Sequence, residues 1–120
     1  MSDHRDLLAW QEAMKLAELV YRVTDSFPAR ETYGLVAQVK RSAISVPSNI
    51  AEGAARNSPR ELFQYLGIAS GSRAELHTQL ELASRLRFIE PNTEVFRQLD
   101  RVGQLVTALR RSLKLKLGVA

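Results

Sequence analysis

SVPSNIAEGAAR, residues 45–56, carries a proline near its start, yet the apolar positions around it keep a helical beat. Leu35, Val39, Ala43, Ile50 and Ala54 recur at helical spacing on both sides of Pro47, which is the period of one helix face and not the alternation of a strand. A proline inside a helix removes one backbone hydrogen bond and bends the axis. The stretch therefore reads as part of a single helix over residues 31–56, kinked at Pro47, with the hydroxyls of Ser45 and Ser48 placed to satisfy groups that the kink frees. A true break at Val46-Pro47, giving two shorter helices, is the alternative. The solvent side of this helix is expected to carry Gln38, Arg41, Ser42, Ser45, Asn49 and Glu52.

Outward from this segment the same period recurs three more times. Upstream, a helix over residues 5–26 ends before Phe27-Pro28, because a residue preceding proline avoids the helical region. Downstream, Ser58-Pro59-Arg60-Glu61 is a helix start with Ser58 as N-cap and Pro59 at the first helical position. Leu62, Leu66, Ala69, Leu76, Leu80 and Ala83 then mark the buried stripe of a helix over 59–87. Gly67 and Gly71 weaken its middle by propensity and are expected to mark a close crossing with the preceding helix. After Glu90-Pro91-Asn92-Thr93, which offers two N-cap residues, Val95, Leu99, Val102, Val106, Leu109 and Leu113 define a last helix over 93–117. The fold class is all-α, an antiparallel up-and-down four-helix bundle. One domain fits the 120 residues, which suffice for a single core.

The first helix is apolar over more than one face. Trp10, Met14, Ala17 and Tyr21 form one row, and Leu16, Leu19, Val20 and Val23 form another beside it. A bundle core needs one such stripe, so either the bundle buries a wide face or the extra row packs against another subunit. The second reading is preferred, and Trp10, Met14, Leu16, Leu19, Val20 and Val23 are the interface candidates.

Composition narrows the function classes. A 45% hydrophobic and 25% charged chain is ordinary for a soluble globular protein. No apolar run approaches the roughly 20 residues of a membrane span, and MSDHRD is too polar for a secretory signal, so a cytoplasmic location is expected. The absence of cysteine removes disulfides, thiolate metal sites and cysteine nucleophiles. A net charge of +4 and a pI near 9.9 allow an anionic partner without demanding one. Most of that charge gathers on the last helix, which bears Arg97, Arg101, Arg110, Arg111, Lys114 and Lys116, with Glu94 and Asp100 confined to its opening turns. Acids first and bases last suit the helix dipole. The same residues could also form a phosphate-binding strip.

RSAISVPSNIAEGAAR, followed by LFQYLGIASGSRAELHTQLELA, closely resembles the signature of the four-helix-bundle proteins encoded in 23S rRNA intervening sequences. The matching positions are Arg41, Pro47, Ser48 to Gly53, and Ala74 to Leu80, and the similarity extends from Leu8-Ala9-Trp10 into the last helix. Relatives that accompany diversity-generating reverse transcriptases are similar in fold. The resemblance implies a bundle that assembles as a homo-oligomeric ring, a pentamer, with RNA or DNA as the suspected partner. It adds Arg41 and Arg56 to the nucleic-acid-binding candidates. It also marks Pro47, Asn49, Glu52, Gly53 and Glu75 as a structural polar motif, with Arg41, Arg56 and Arg73 as possible partners for the two carboxylates.

Catalytic chemistry finds little support. A di-iron bundle needs Glu-x-x-His pairs, but three residues after Glu61, Glu75 and Glu81 stand Gln64, Thr78 and Ser84. His4 and His77 have no second ligand at helical spacing except a distant carboxylate, and no phosphate loop or dinucleotide fingerprint occurs. Glu52 and Glu75 could act as an acid–base pair only if their helices align them. No metal, cofactor, small-molecule substrate or catalytic residue is expected. The function read from the residues is nucleic-acid binding by a symmetric oligomer, with a protein-binding scaffold as the alternative.

Overall fold

A computed structural model describes residues 3–91 and 93–118. Four helices make up the fold: α1 (Leu8–Val23), α2 (Leu35–Ala55), α3 (Pro59–Arg85) and α4 (Glu94–Leu117), with short 3-10 turns at His4–Asp6, Thr24–Ser26 and Ala29–Glu31. Each helix packs along two neighbours, in the cyclic order α1, α2, α3, α4. Positions that rise along one helix meet positions that fall along the next. Ser42 meets Glu75 while Ser45 meets Ser72, and Gly67 lies against Arg110 while Gly103 lies against Arg73. Neighbouring helices therefore run in opposite directions.

The core is aliphatic, with Leu16 and Val20 from α1, Val39 and Ile50 from α2, Leu66, Leu76 and Leu80 from α3, and Leu99, Val102 and Val106 from α4. Its van der Waals contacts and apolar burial supply most of the favourable packing energy.

Helix α2 runs through Pro47 as one element, with the proline ring buried. The missing amide hydrogen takes the helical donor from the Ala43 carbonyl, and one step along the helix Asn49 Nδ2 donates to the Ser45 carbonyl at 2.8 Å and to Ser45 Oγ at 2.9 Å. The solvent side assigned from sequence divides. Gln38, Arg41 and Glu52 are exposed, whereas Ser42 is buried and donates to Glu75 Oε1 at 2.7 Å, and Ser45 meets Ser72 at 2.8 Å. These small hydroxyls lie in the α2–α3 seam.

Two boundaries differ from expectation. Helix α2 begins at Leu35, not near Glu31, because residues 29–31 form a 3-10 turn and Gly34 has non-helical dihedrals, φ −107° and ψ −108°. Glu31 Oε1 instead accepts from Leu35 N at 3.2 Å and caps the helix from outside. Helix α3 stops at Arg85 because Arg87 turns left-handed, at φ 65°. Phe88 N then donates to Ala83 O and Arg87 N to Ser84 O, a Schellman closure made without glycine.

At the start of α3, Ser58 Oγ accepts from Glu61 N at 3.3 Å with Pro59 in the first turn, as the sequence pattern requires. Of the two caps proposed for α4, Asn92 lies outside the described residues, and Thr93 occupies the cap position without a side-chain bond.

The close approach of α2 and α3 is made by Gly53, not by Gly67 or Gly71. A Cβ on Gly53 would stand 2.7 Å from Tyr65 Cβ and 3.1 Å from Leu62 Cδ1, while one on Gly71 would meet nothing within 4 Å.

Candidate nucleic-acid interface

The six basic residues of α4 do not form one strip. Gln98 reaches α1, where its Nε2 donates to the Glu12 carbonyl at 2.8 Å. Lys116 stands eighteen residues further on, five full turns of about 3.6 residues, so it falls on the α1 side as well. Arg101 is committed to α1, its Nε donating to Glu12 Oε1 at 2.6 Å. Arg97 is exposed on the outer face. Arg110, Arg111 and Lys114 turn instead toward the α3 side, where Phe63 and Thr107 join them in lining a cavity of about 280 Å³.

A second cavity, of about 520 Å³, continues from the first, since Thr107 and Arg111 line both; Ser70, Arg73, Asp100 and Gly103 are among its walls. Together they make a groove along the α3–α4 seam. Arg110 stacks its guanidinium 4.5 Å from the Phe63 ring centre. Arg73, considered in the sequence only as a partner for carboxylates, crosses to α4 and donates from Nη1 to the Leu99 carbonyl at 3.3 Å. Among the described residues, no carboxylate lies within ion-pair distance of Arg73, Arg110, Arg111 or Lys114.

The two arginines brought in by the motif lie elsewhere. Arg41 is exposed on α2. Arg56 is held at the α2–α3 corner, 3.7 Å from Glu52, 4.0 Å from Glu61 and donating to Tyr65 Oη at 3.0 Å. The Glu52 carboxylate thus faces its own helix end, and Glu75 accepts from Ser42. Because Ser42 lies opposite Glu75 and Gly53 opposite Tyr65, the two glutamates sit about ten residues apart in register, roughly 15 Å, and form no acid–base pair. His77 packs edge-on to Phe96 with ring centres 6.1 Å apart. No group of three or more His, Asp or Glu side chains among the described residues could hold a metal, and none of the helices described is long and apolar enough to cross a membrane.

The α1 interface candidates separate in the same way. Leu16 and Val20 are completely buried in the chain's own core, and Leu19 and Val23 pack against it, so that row is not free for a second subunit. The other row reaches the surface, with Met14 39% and Tyr21 43% exposed, while Trp10 is half-buried and meets His4 edge-on. Tyr21 borders α2, where Lys40 Nζ lies 4.6 Å from its ring centre.

Glu12 is not among the residues singled out from the sequence, although it falls between Ala9 and Leu16 on the buried face of α1. It is 5% exposed. Hydrogen bonds from Lys15, Arg101 and Gln98 lower its pKa to about 2, against the opposing effect of burial.

Four helices packed side by side around one aliphatic core place the chain among all-α four-helix-bundle proteins. The model of the family described as 23S rRNA-intervening sequence protein matches residues 5–108, and the chain belongs to that family. A comparison with curated proteins gave no match.

Proposed function

We propose that this is a non-enzymatic, homo-oligomeric RNA-binding protein that meets phosphates through the α3–α4 groove. The observation that carries this reading is the gathering of Arg73, Arg110, Arg111 and Lys114 on one seam with no carboxylate in ion-pair range among the described residues. Arg101 and Arg85, by contrast, are held by Glu12 and Glu81. The family's description links it to 23S rRNA, which favours RNA over DNA.

Repetition supplies the affinity that a single chain lacks. Five chains at +4 each, the ring size implied by the family resemblance, carry about +20, and several phosphates neutralised together release their counterions cooperatively. A ring requires two different surfaces to meet. Met14, Tyr21 and Ile44 offer one, and Ile68 and Leu82, fourteen residues apart on one face of α3, offer another. The first leaves the α3–α4 seam open, since α1 and α2 lie across the bundle from it.

Light scattering with heparin chromatography tests the reading. The expected result is a mass several times 13.5 kDa and retention that salt reverses. A monomer that passes through heparin at low salt would overturn it, and an oligomer that does so would point to the protein scaffold.

A further inference from the structure

The α3–α4 groove holds two arginines in a reciprocal arrangement. Arg73 of α3 lies across Gly103 of α4, so closely that a Cβ there would stand 2.9 Å from its Cζ and Nε. Arg110 of α4 lies across Gly67 of α3, where a Cβ would stand 3.3 Å from its Nη2. Each glycine removes the side chain that would lift the opposing guanidinium off the helix. Anchored by the Leu99 carbonyl and the Phe63 ring, the two side chains have given up much of their rotamer freedom before any ligand arrives.

Their Nε atoms are buried without an acceptor. Such groups are uncommon in folded proteins and call for a reason. Gly103 and Arg110 are seven residues apart on α4, so the two guanidiniums sit about 10 Å apart along the seam. Between them lie the hydroxyl residues Ser70 and Thr107, with Arg111 at the wall that the two cavities share. Planar forks at fixed spacing, with hydroxyl donors between them, match phosphoryl oxygens, which accept bidentate hydrogen bonds from arginine.

We propose that this seam is a built phosphoryl-oxyanion site, in which Arg73 and Arg110 each hold one phosphate of a nucleic-acid strand and Arg111 and Lys114 neutralise the strand between and beyond them. The assignment rests on the nucleic-acid reading for its natural ligand, but its chemistry is tested separately. Asp100, which also lines the larger cavity, sets the polarity: a strand lies away from it, toward Lys114.

The experiment titrates the full-length protein with two probes, inorganic pyrophosphate by calorimetry and a labelled RNA oligonucleotide by anisotropy. The variants are Arg73→Gln/Arg110→Gln, its charge-preserving counterpart Arg73→Lys/Arg110→Lys, and Arg85→Gln as a control already paired with Glu81. The glutamine pair is expected to weaken binding at least about tenfold, the lysine pair to recover it only in part because the fork is lost, and Arg85→Gln to leave it nearly unchanged. Should the glutamine pair lose its helical circular dichroism, Arg111→Gln at the exposed rim replaces it, with about a threefold loss expected. RNA binding that every groove variant leaves intact would overturn the site while the nucleic-acid reading stood. Pyrophosphate binding lost in the variants, with no RNA binding by the wild type, would uphold the site and remove the reading. RNA binding weakened without pyrophosphate binding would uphold both, with the strand as the source. Binding of neither probe would overturn both.

Discussion

Gly53→Ala is expected to lose about 1–2 kcal/mol of stability and Gly53→Leu about 3 or more, whereas Gly71→Ala gains up to about 1. The three results have one cause. Alanine is worth roughly 1 kcal/mol more than glycine inside a helix, and that gain survives only where the new methyl has room. At Gly71 nothing lies within 4 Å. At Gly53 the nearest atom is Tyr65 Cβ at 2.7 Å, which is fixed to the α3 backbone and can retreat only if the helices part. Leucine adds three more carbons to the same crossing, and interior overpacking typically costs about 1–3 kcal/mol. Urea unfolding of the three variants, compared by midpoint at constant slope, checks the signs. A stabilising Gly53→Ala would show that α2 and α3 are not in close contact there.

The second large effect is expected at Glu12. Its carboxylate is nearly buried and accepts from Arg101, Lys15 and Gln98, which hold its pKa near 2 against an ordinary value of 4.5. A carboxyl whose pKa is lower in the folded state binds its proton more weakly there than in the unfolded chain. Its contribution is therefore full above about pH 4.5 and fades as pH falls toward 2. The full shift would be worth roughly 3 kcal/mol. Because the Lys15 and Arg101 side chains are 64% and 52% exposed, solvent screening reduces this to about 2. Glu12→Gln should accordingly be less stable than the wild type by about 2 kcal/mol at pH 7, with the gap closing as the two are unfolded at successively lower pH. A gap that stays constant down to pH 2 would assign the loss to packing and not to charge.

The features visible in the sequence are those that local chemistry decides. The helical period across Pro47, the Ser58-Pro59 start and the stripe from Val95 to Leu113 all reside within one segment, and each recurs in the fold. What stayed hidden depends on register between helices. Arg101 was expected on a phosphate strip, but its partner Glu12 stands 89 positions earlier. Arg73 and Arg110 share a groove only because Gly103 and Gly67 lie opposite them, and no spacing within α3 or α4 reveals this. Leu16 and Val20 were assigned to a subunit interface because a sequence shows that α1 is apolar on two sides without showing which side the other helices cover. One signal was available and unused. An acid between Ala9 and Leu16 on a buried stripe needs a partner, and the α4 arginines were the obvious source.

Whether phosphates meet the α3–α4 seam is decided by fluorescence anisotropy of a labelled structured RNA, with duplex DNA of equal length beside it. Each is titrated from about 50 to 200 mM salt with the wild type and with a variant carrying glutamine at Arg73, Arg110, Arg111 and Lys114. Wild-type affinity is expected to fall by orders of magnitude over this range and to be tighter for RNA than for DNA, and the variant to bind weakly throughout with a shallower salt dependence. No binding at about 50 mM salt, or binding equally strong and equally salt-dependent in the variant, would contradict it.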